Sequence, residues 1–233
     1  MGEKINQIRK ANALSFMMFA YFKIANAGNC DDVINAAINS AYRDAASHVL
    51  SFKNDDKKEK RNKAKETARN TLIKSINELR ECQKDYNEWH KALCESLVEI
   101  YKKDYDYNKG YEFTCGIAQK WVNMLMKYLY VIYYFCKACG YENSSFVSEY
   151  GEMIKKYVSD FHVPIDSIII NAAKKDLLIP VGFQSWSKIS DYDVYSKFEE
   201  EIKKHFKDNL TPIDWECEAW IQNSLKTEKP KNE

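Results

Sequence analysis

Residues Cys115–Lys137, CGIAQKWVNMLMKYLYVIYYFCK, decide the fold. The stretch is apolar almost all the way round, which in a water-soluble chain predicts a helix buried in a core. It nevertheless carries Lys120, Asn123 and Lys127, three and four residues apart, with Gly116 one turn earlier. That spacing stacks all four on one face. An unpaired buried charge costs roughly several kcal/mol or more. The stripe must therefore meet acidic side chains, an anionic ligand or water in a cleft. The same polar residues interrupt the run from Trp121 to Cys136, so it does not read as a membrane span.

The rest of the chain agrees with helices. Only 7 Gly and 4 Pro stand among 233 residues, too few for the many tight turns of a sandwich or barrel. With 45% hydrophobic and 14% aromatic residues, a substantial core is available. The net charge of +1 gives no global footprint for nucleic acid or anionic membrane. Residues 1–110 hold 20 Lys/Arg against 16 Asp/Glu, and the remainder 15 against 18. Seven cysteines, most of them single within helical patterns, read as reduced thiols of a cytosolic protein. The N-terminus lacks the features of a secretory signal, and Asn6 stands where a myristoylation motif needs Ser or Thr.

The expected fold is all-α, a bundle of about seven helices in which an N-terminal long-helix hairpin packs on a C-terminal helical half. Helices are expected over 3–26, from Asp31 or Asp32 to about Phe52, and unbroken from about 60 to 103. After the 115–137 helix come four more, starting near Ser145, Pro164, Ser190 and Pro212. The reading divides the chain into an N-terminal bundle (1–105), a C-terminal half (111–226) and a disordered tail (227–233). Residues 53–69, KNDDKKEKRNKAKETAR, form a basic segment. It reads as the solvated start of a helix, with a phosphate-contacting arm as the rival.

The polar stripe supplies the first candidate site, a buried pocket in the C-terminal half. Lys120 and Lys127 would meet phosphate or carboxylate, and Gln119 and Asn123 would read a polar edge. His162, Asp166, Glu216 and Glu218 are the candidate partners from other helices. Trp121, Trp186, Trp215 or Tyr128 could stack on a base. Buried ionisable groups at a helix interface flag a site, although a fully paired structural network would satisfy the same pattern.

Arg43-Asp-Ala-Ala-Ser-His48 supplies the second. It resembles the R-x4–6-H motif of HEPN-family ribonucleases. The resemblance implies an all-helical, dimeric, metal-independent enzyme that cleaves RNA by acid–base chemistry, of the kind found in toxin or phage-defence systems. His48 would then be the general base or acid at the 2′-hydroxyl, Arg43 would stabilise the phosphate, and Asp44 would orient one of them. The types suit the work: histidine titrates near neutrality and arginine clamps phosphate.

Two lesser patterns read as packing. His90 and Cys94 share a helix face, without further ligands nearby. Cys136-Lys-Ala-Cys139 is a lone CxxC, a poor zinc signal. There is no Gly-rich phosphate loop, and no cofactor is expected. Three functions follow: a cytosolic protein holding a nucleotide, base or other small anion; a HEPN-like ribonuclease acting on RNA as a homodimer; and a helical interaction protein whose stripe is only structural. None involves a membrane.

Overall fold

A computed structural model describes residues 2–24, 29–46, 58–104, 113–206 and 210–227. Among them are nine α-helices and no strand. They are α1 (Gly2–Phe22), α2 (Cys30–Ala46), α3 (Lys58–Glu81), α4 (Tyr86–Asp104), α5 (Cys115–Ala138), α6 (Ser145–Tyr157), α7 (Ser167–Asp176), α8 (Tyr192–Lys203) and α9 (Pro212–Thr227). A short 3-10 turn, Trp186–Lys188, precedes α8. The all-α class holds, with more helices than the seven expected.

One of the additional helices comes from a break in the expected 60–103 span. Asp85 starts α4: its Oδ1 accepts the Glu88 backbone N–H at 3.0 Å, as an N-cap should. The four residues before Tyr86 reverse the chain, and α3 and α4 pack as a hairpin. The Trp89 indole donates to the Ser75 carbonyl at 2.9 Å across it. One 44-residue helix would leave Leu72, Ile76 and Leu79 in water, whereas the hairpin buries them completely or nearly so. Each such side chain contributes about 1.5–3 kcal/mol.

Helix α5 is the central element and packs against α2, α4, α6 and α8. Its neighbour α2 presents Ala37, Ile38, Ala41 and Ala45, all buried, and the small residues let the two helices approach closely. The fully buried Trp121 indole donates to the Ile38 carbonyl at 3.1 Å. One continuous apolar cluster runs from Leu14 to Ala219 through both halves of the chain.

Gly116 lets the 3-10 turn lie directly on α5. A Cβ there would stand 1.8 Å from the Trp186 carbonyl oxygen. The Gly116 N–H instead donates to the Ile189 carbonyl at 2.8 Å. By contrast, α1 touches the body through Leu14, Met18 and Phe22 and leaves Ile5, Ile8, Phe16, Met17 and Phe19 exposed. No helix among the described residues is long and apolar enough to cross a membrane. The expected disordered tail, apart from Thr227, and residues 53–57 of the basic segment lie outside the described residues.

Candidate functional site

The stripe on α5 meets two kinds of partner. The first is charge. Lys120 Nζ lies 3.1 Å from Asp166 Oδ2, and Lys127 Nζ lies 2.6 Å from Glu216 Oε2. Asp166 also caps α7, its Oδ1 accepting the N–H groups of Ile168 and Ile169 at 2.9 and 3.0 Å. Burial raises the Glu216 carboxyl above its usual value, and Lys127 opposes that rise. The aromatic rings beside the lysines are Trp186, 4.7 Å from Lys120, and Trp220, 5.8 Å from Lys127. Trp215 stands elsewhere, against Phe206, and Glu218 is exposed. A small anion would reach either lysine only by displacing its carboxylate.

The second kind of partner is backbone. Residues 162–165 are buried and belong to neither helix nor strand, so no regular ladder takes up their N–H and C=O groups. Side chains do so instead. Asn123 Nδ2 lies 2.9 Å from the Val163 carbonyl, and Gln119 Nε2 lies 3.3 Å from that of Ile165. Glu199 Oε2 accepts the Val163 N–H at 3.1 Å. Two polar residues of the stripe thus do for this segment what a neighbouring strand would do.

From Asn123 the network continues to two histidines. Its Oδ1 faces His90 Nε2 at 2.8 Å, and its Nδ2 faces the Tyr195 hydroxyl at 2.8 Å. His162 Nε2 faces Asn87 Oδ1 at 2.8 Å. An amide oxygen only accepts, so both imidazoles carry their proton on Nε2. Their Nδ1 atoms then accept from the Tyr192 hydroxyl at 2.7 Å and the Tyr195 hydroxyl at 2.8 Å. The rings are 4.5 Å apart. Burial lowers His90 to about 4 and pushes His162 well below the usual histidine range, with His90 beside it as the next cause. Both are neutral at physiological pH.

Cysteine chemistry finds no support here. Cys94 Sγ lies 3.8 Å from each His90 nitrogen, and burial holds its thiol well above the usual value. Burial likewise lifts Cys136 of the CxxC pair to about 11. No group of three or more potential metal ligands occurs among the described residues.

Arg43 belongs to a different place, a recess of about 480 Å³ between α2 and α3 that Phe22, Lys23 and Ile24 at the end of α1 close on a third side. Asp32, Asn35, Asn39 and Arg43 line it from one face of α2, and Lys65 from α3. On α3, Arg61, Lys65 and Arg69 follow at four-residue steps and therefore share a face. Arg69 donates to Asn35 Oδ1 at 2.7 Å and pairs with Glu66 at 3.0 Å. Arg43 is exposed, and its guanidinium donates to Ser40 Oγ at 2.9 Å. Lys65 has no carboxylate partner among the described residues; its ammonium lies over the Tyr42 ring at 4.7 Å. Burial, and then the neighbouring Arg43 charge, lower its pKa, with Arg69 and Arg61 acting the same way and Glu66 opposing. Asp44 accepts a hydrogen bond from the Tyr128 hydroxyl. His48 lies outside the described residues.

The structure therefore brings Gln119, Lys120, Asn123, Lys127, His162, Asp166 and Glu216 into or beside one network, and sets Arg43 and Trp215 apart from it. Sequence reasoning passed over Lys65, Arg61 and Arg69 as members of a solvated charge run. Their four-residue spacing, matched by Asn35, Asn39 and Arg43, was the available signal. It also passed over Tyr195 and Glu199. No family model, curated protein or solved structure matches this chain.

Proposed function

We propose that this protein binds the phosphates of RNA or of a nucleotide in the recess between α2 and α3, with Arg43 and Lys65 as the anion contacts. The observation that carries the reading is the half-buried Lys65, without a carboxylate partner among the described residues and pressed by the charges of Arg43, Arg69 and Arg61, which Glu66 only partly opposes. Like charges brought together on two helices raise the energy of the free protein, and a phosphate relieves it. Asn35 and Asn39 add neutral hydrogen-bonding groups on the same wall. The α5 stripe enters this reading as structure, because its lysines have carboxylates already.

Fluorescence anisotropy with a labelled single-stranded RNA, against a nucleoside triphosphate as competitor, tests this. Arg43→Ala with Lys65→Ala should weaken binding at least about tenfold and lower the salt slope by roughly two contacts. Unchanged binding in the double variant overturns the proposal. Effective competition by the triphosphate would mark a nucleotide site, and its failure an RNA surface.

Arg43 in this recess also favours a ribonuclease reading. His48, five residues further along the sequence, would take the proton of a 2′-hydroxyl while Arg43 balances the phosphate charge. His48→Ala should then abolish cleavage and spare binding. Intact RNA after incubation with the wild-type protein refutes this reading and leaves the binding one standing.

A further inference from the structure

We propose that the cleft between α4 and α8 binds a small organic cation, a primary ammonium or guanidinium, whose charge is met by Glu199. The cleft measures about 240 Å³, room for roughly eight water-sized groups. Tyr192, Ser196, Glu199 and Lys203 line it from α8, three and four residues apart, and His162 closes one side.

Three observations fix the chemistry. First, Glu199 is 4% exposed, and while its Oε2 accepts the Val163 N–H, its Oε1 has no partner among the described residues. A buried carboxyl oxygen left unbonded costs free energy that a ligand N–H would recover. Second, both lysines of the cleft are committed, Lys91 to Asp193 at 3.1 Å and Lys203 to Asp160 at 2.6 Å. Among the described residues Glu88 and Glu200 line the cleft without an ion-pair partner, and burial pushes His162 well below the usual histidine range, so the cleft favours positive charge. Third, the Tyr192 ring already hosts an ammonium, with Lys91 Nζ at 5.5 Å. Burial raises the Glu199 carboxyl well above its usual value. A cation bound beside it favours the ionised carboxylate, which accepts from the ligand N–H while any proton it held leaves to solvent.

Titration calorimetry on the full chain, with agmatine and methylguanidinium as probes and neutral methylurea as the size-matched control, tests this. The cations should bind and methylurea should not at about 10 mM. Glu199→Gln keeps the shape but cannot ionise, and should weaken cation binding at least about tenfold. Ser196→Phe, which fills the cleft from a half-buried position, should abolish it even if Glu199→Gln perturbs folding. Absence of cation binding in the wild type, equal binding of methylurea, or full binding in both variants overturns the proposal.

Discussion

Lys120 and Asp166 meet at 3.1 Å across α5 and α7, with side chains 7% and 13% exposed, and the same carboxylate caps the helix that follows it. Its two oxygens do separate work, and variants separate them. Lys120→Met strands a nearly buried charge and should cost about 3 kcal/mol in urea unfolding. Asp166→Asn keeps a good capping side chain and loses only the pair, whereas Asp166→Ala loses both and should cost about 1 kcal/mol more. Lys120→Met with Asp166→Asn removes both charges, so its cost should fall below the sum of the singles. Strict additivity would show that the pair is not coupled.

The histidine pair makes a prediction about pH. Both imidazoles titrate lower in the folded protein than in the unfolded chain, so the unfolded state binds more protons below about pH 6.5, for His90 down to about pH 4. Each therefore adds stability that is complete above about pH 6.5 and lost as pH falls, at up to about 1.4 kcal/mol per pH unit. Glu199 acts in the opposite sense, because its raised carboxyl makes stability fall as pH rises through its folded value. Comparing variants isolates each share. His162→Gln should flatten the acid limb of a stability–pH curve by about one proton, and Glu199→Gln should steepen it. Parallel curves for His162→Gln and the wild type would show that His162 is not held neutral.

Much of this network was visible in the sequence, and the reason is local. Gln119, Lys120, Asn123 and Lys127 lie on one helix, where spacing alone fixes the shared face. Asp166 and Glu216 stood out as acids near the starts of semi-apolar helices. What escaped depends on chain reversal and on distance. The break before Tyr86 has neither Gly nor Pro to announce it, and only Asp85 with Glu88 carries the signal. Tyr195 and Glu199 became partners of Asn123 and Val163 only because α8 folds back over α5. Lys65 looked like one charge in a solvated run until α3 was laid beside α2. One apolar core runs through both halves of the chain, because α5 packs against α2 and α4 as well as α6 and α8.

Gly116 tests the seat of the 3-10 turn. Any side chain there meets the Trp186 carbonyl at 1.8 Å, and the obstacle is backbone, which cannot rotate away. Gly116→Ala should therefore destabilise by at least about 2 kcal/mol, although alanine is the better helix former by about 1 kcal/mol. It should also move Trp186 off Lys120, which tryptophan fluorescence can follow in a background with the other indoles replaced. A stabilised Gly116→Ala protein would show that the turn does not rest on α5.

Lys65 offers the sharpest test of the recess, because its effects on stability and on binding should run in opposite directions. In the free protein its ammonium is half-buried among like charges. Lys65→Met keeps the aliphatic stem against Tyr42 and removes the repulsion. It should stabilise the protein by about 0.5 kcal/mol at low salt, solvent screening allowed for, and the gain should shrink as salt rises. The same change should reduce the rise in melting temperature caused by tripolyphosphate, since a bound ligand adds RT ln(1 + [L]/Kd) to stability. An Arg61→Met variant, on the same face one turn earlier, should show a smaller effect of the same sign. Destabilisation by Lys65→Met, or an undiminished response to tripolyphosphate, would remove the physical basis for placing an anion between α2 and α3.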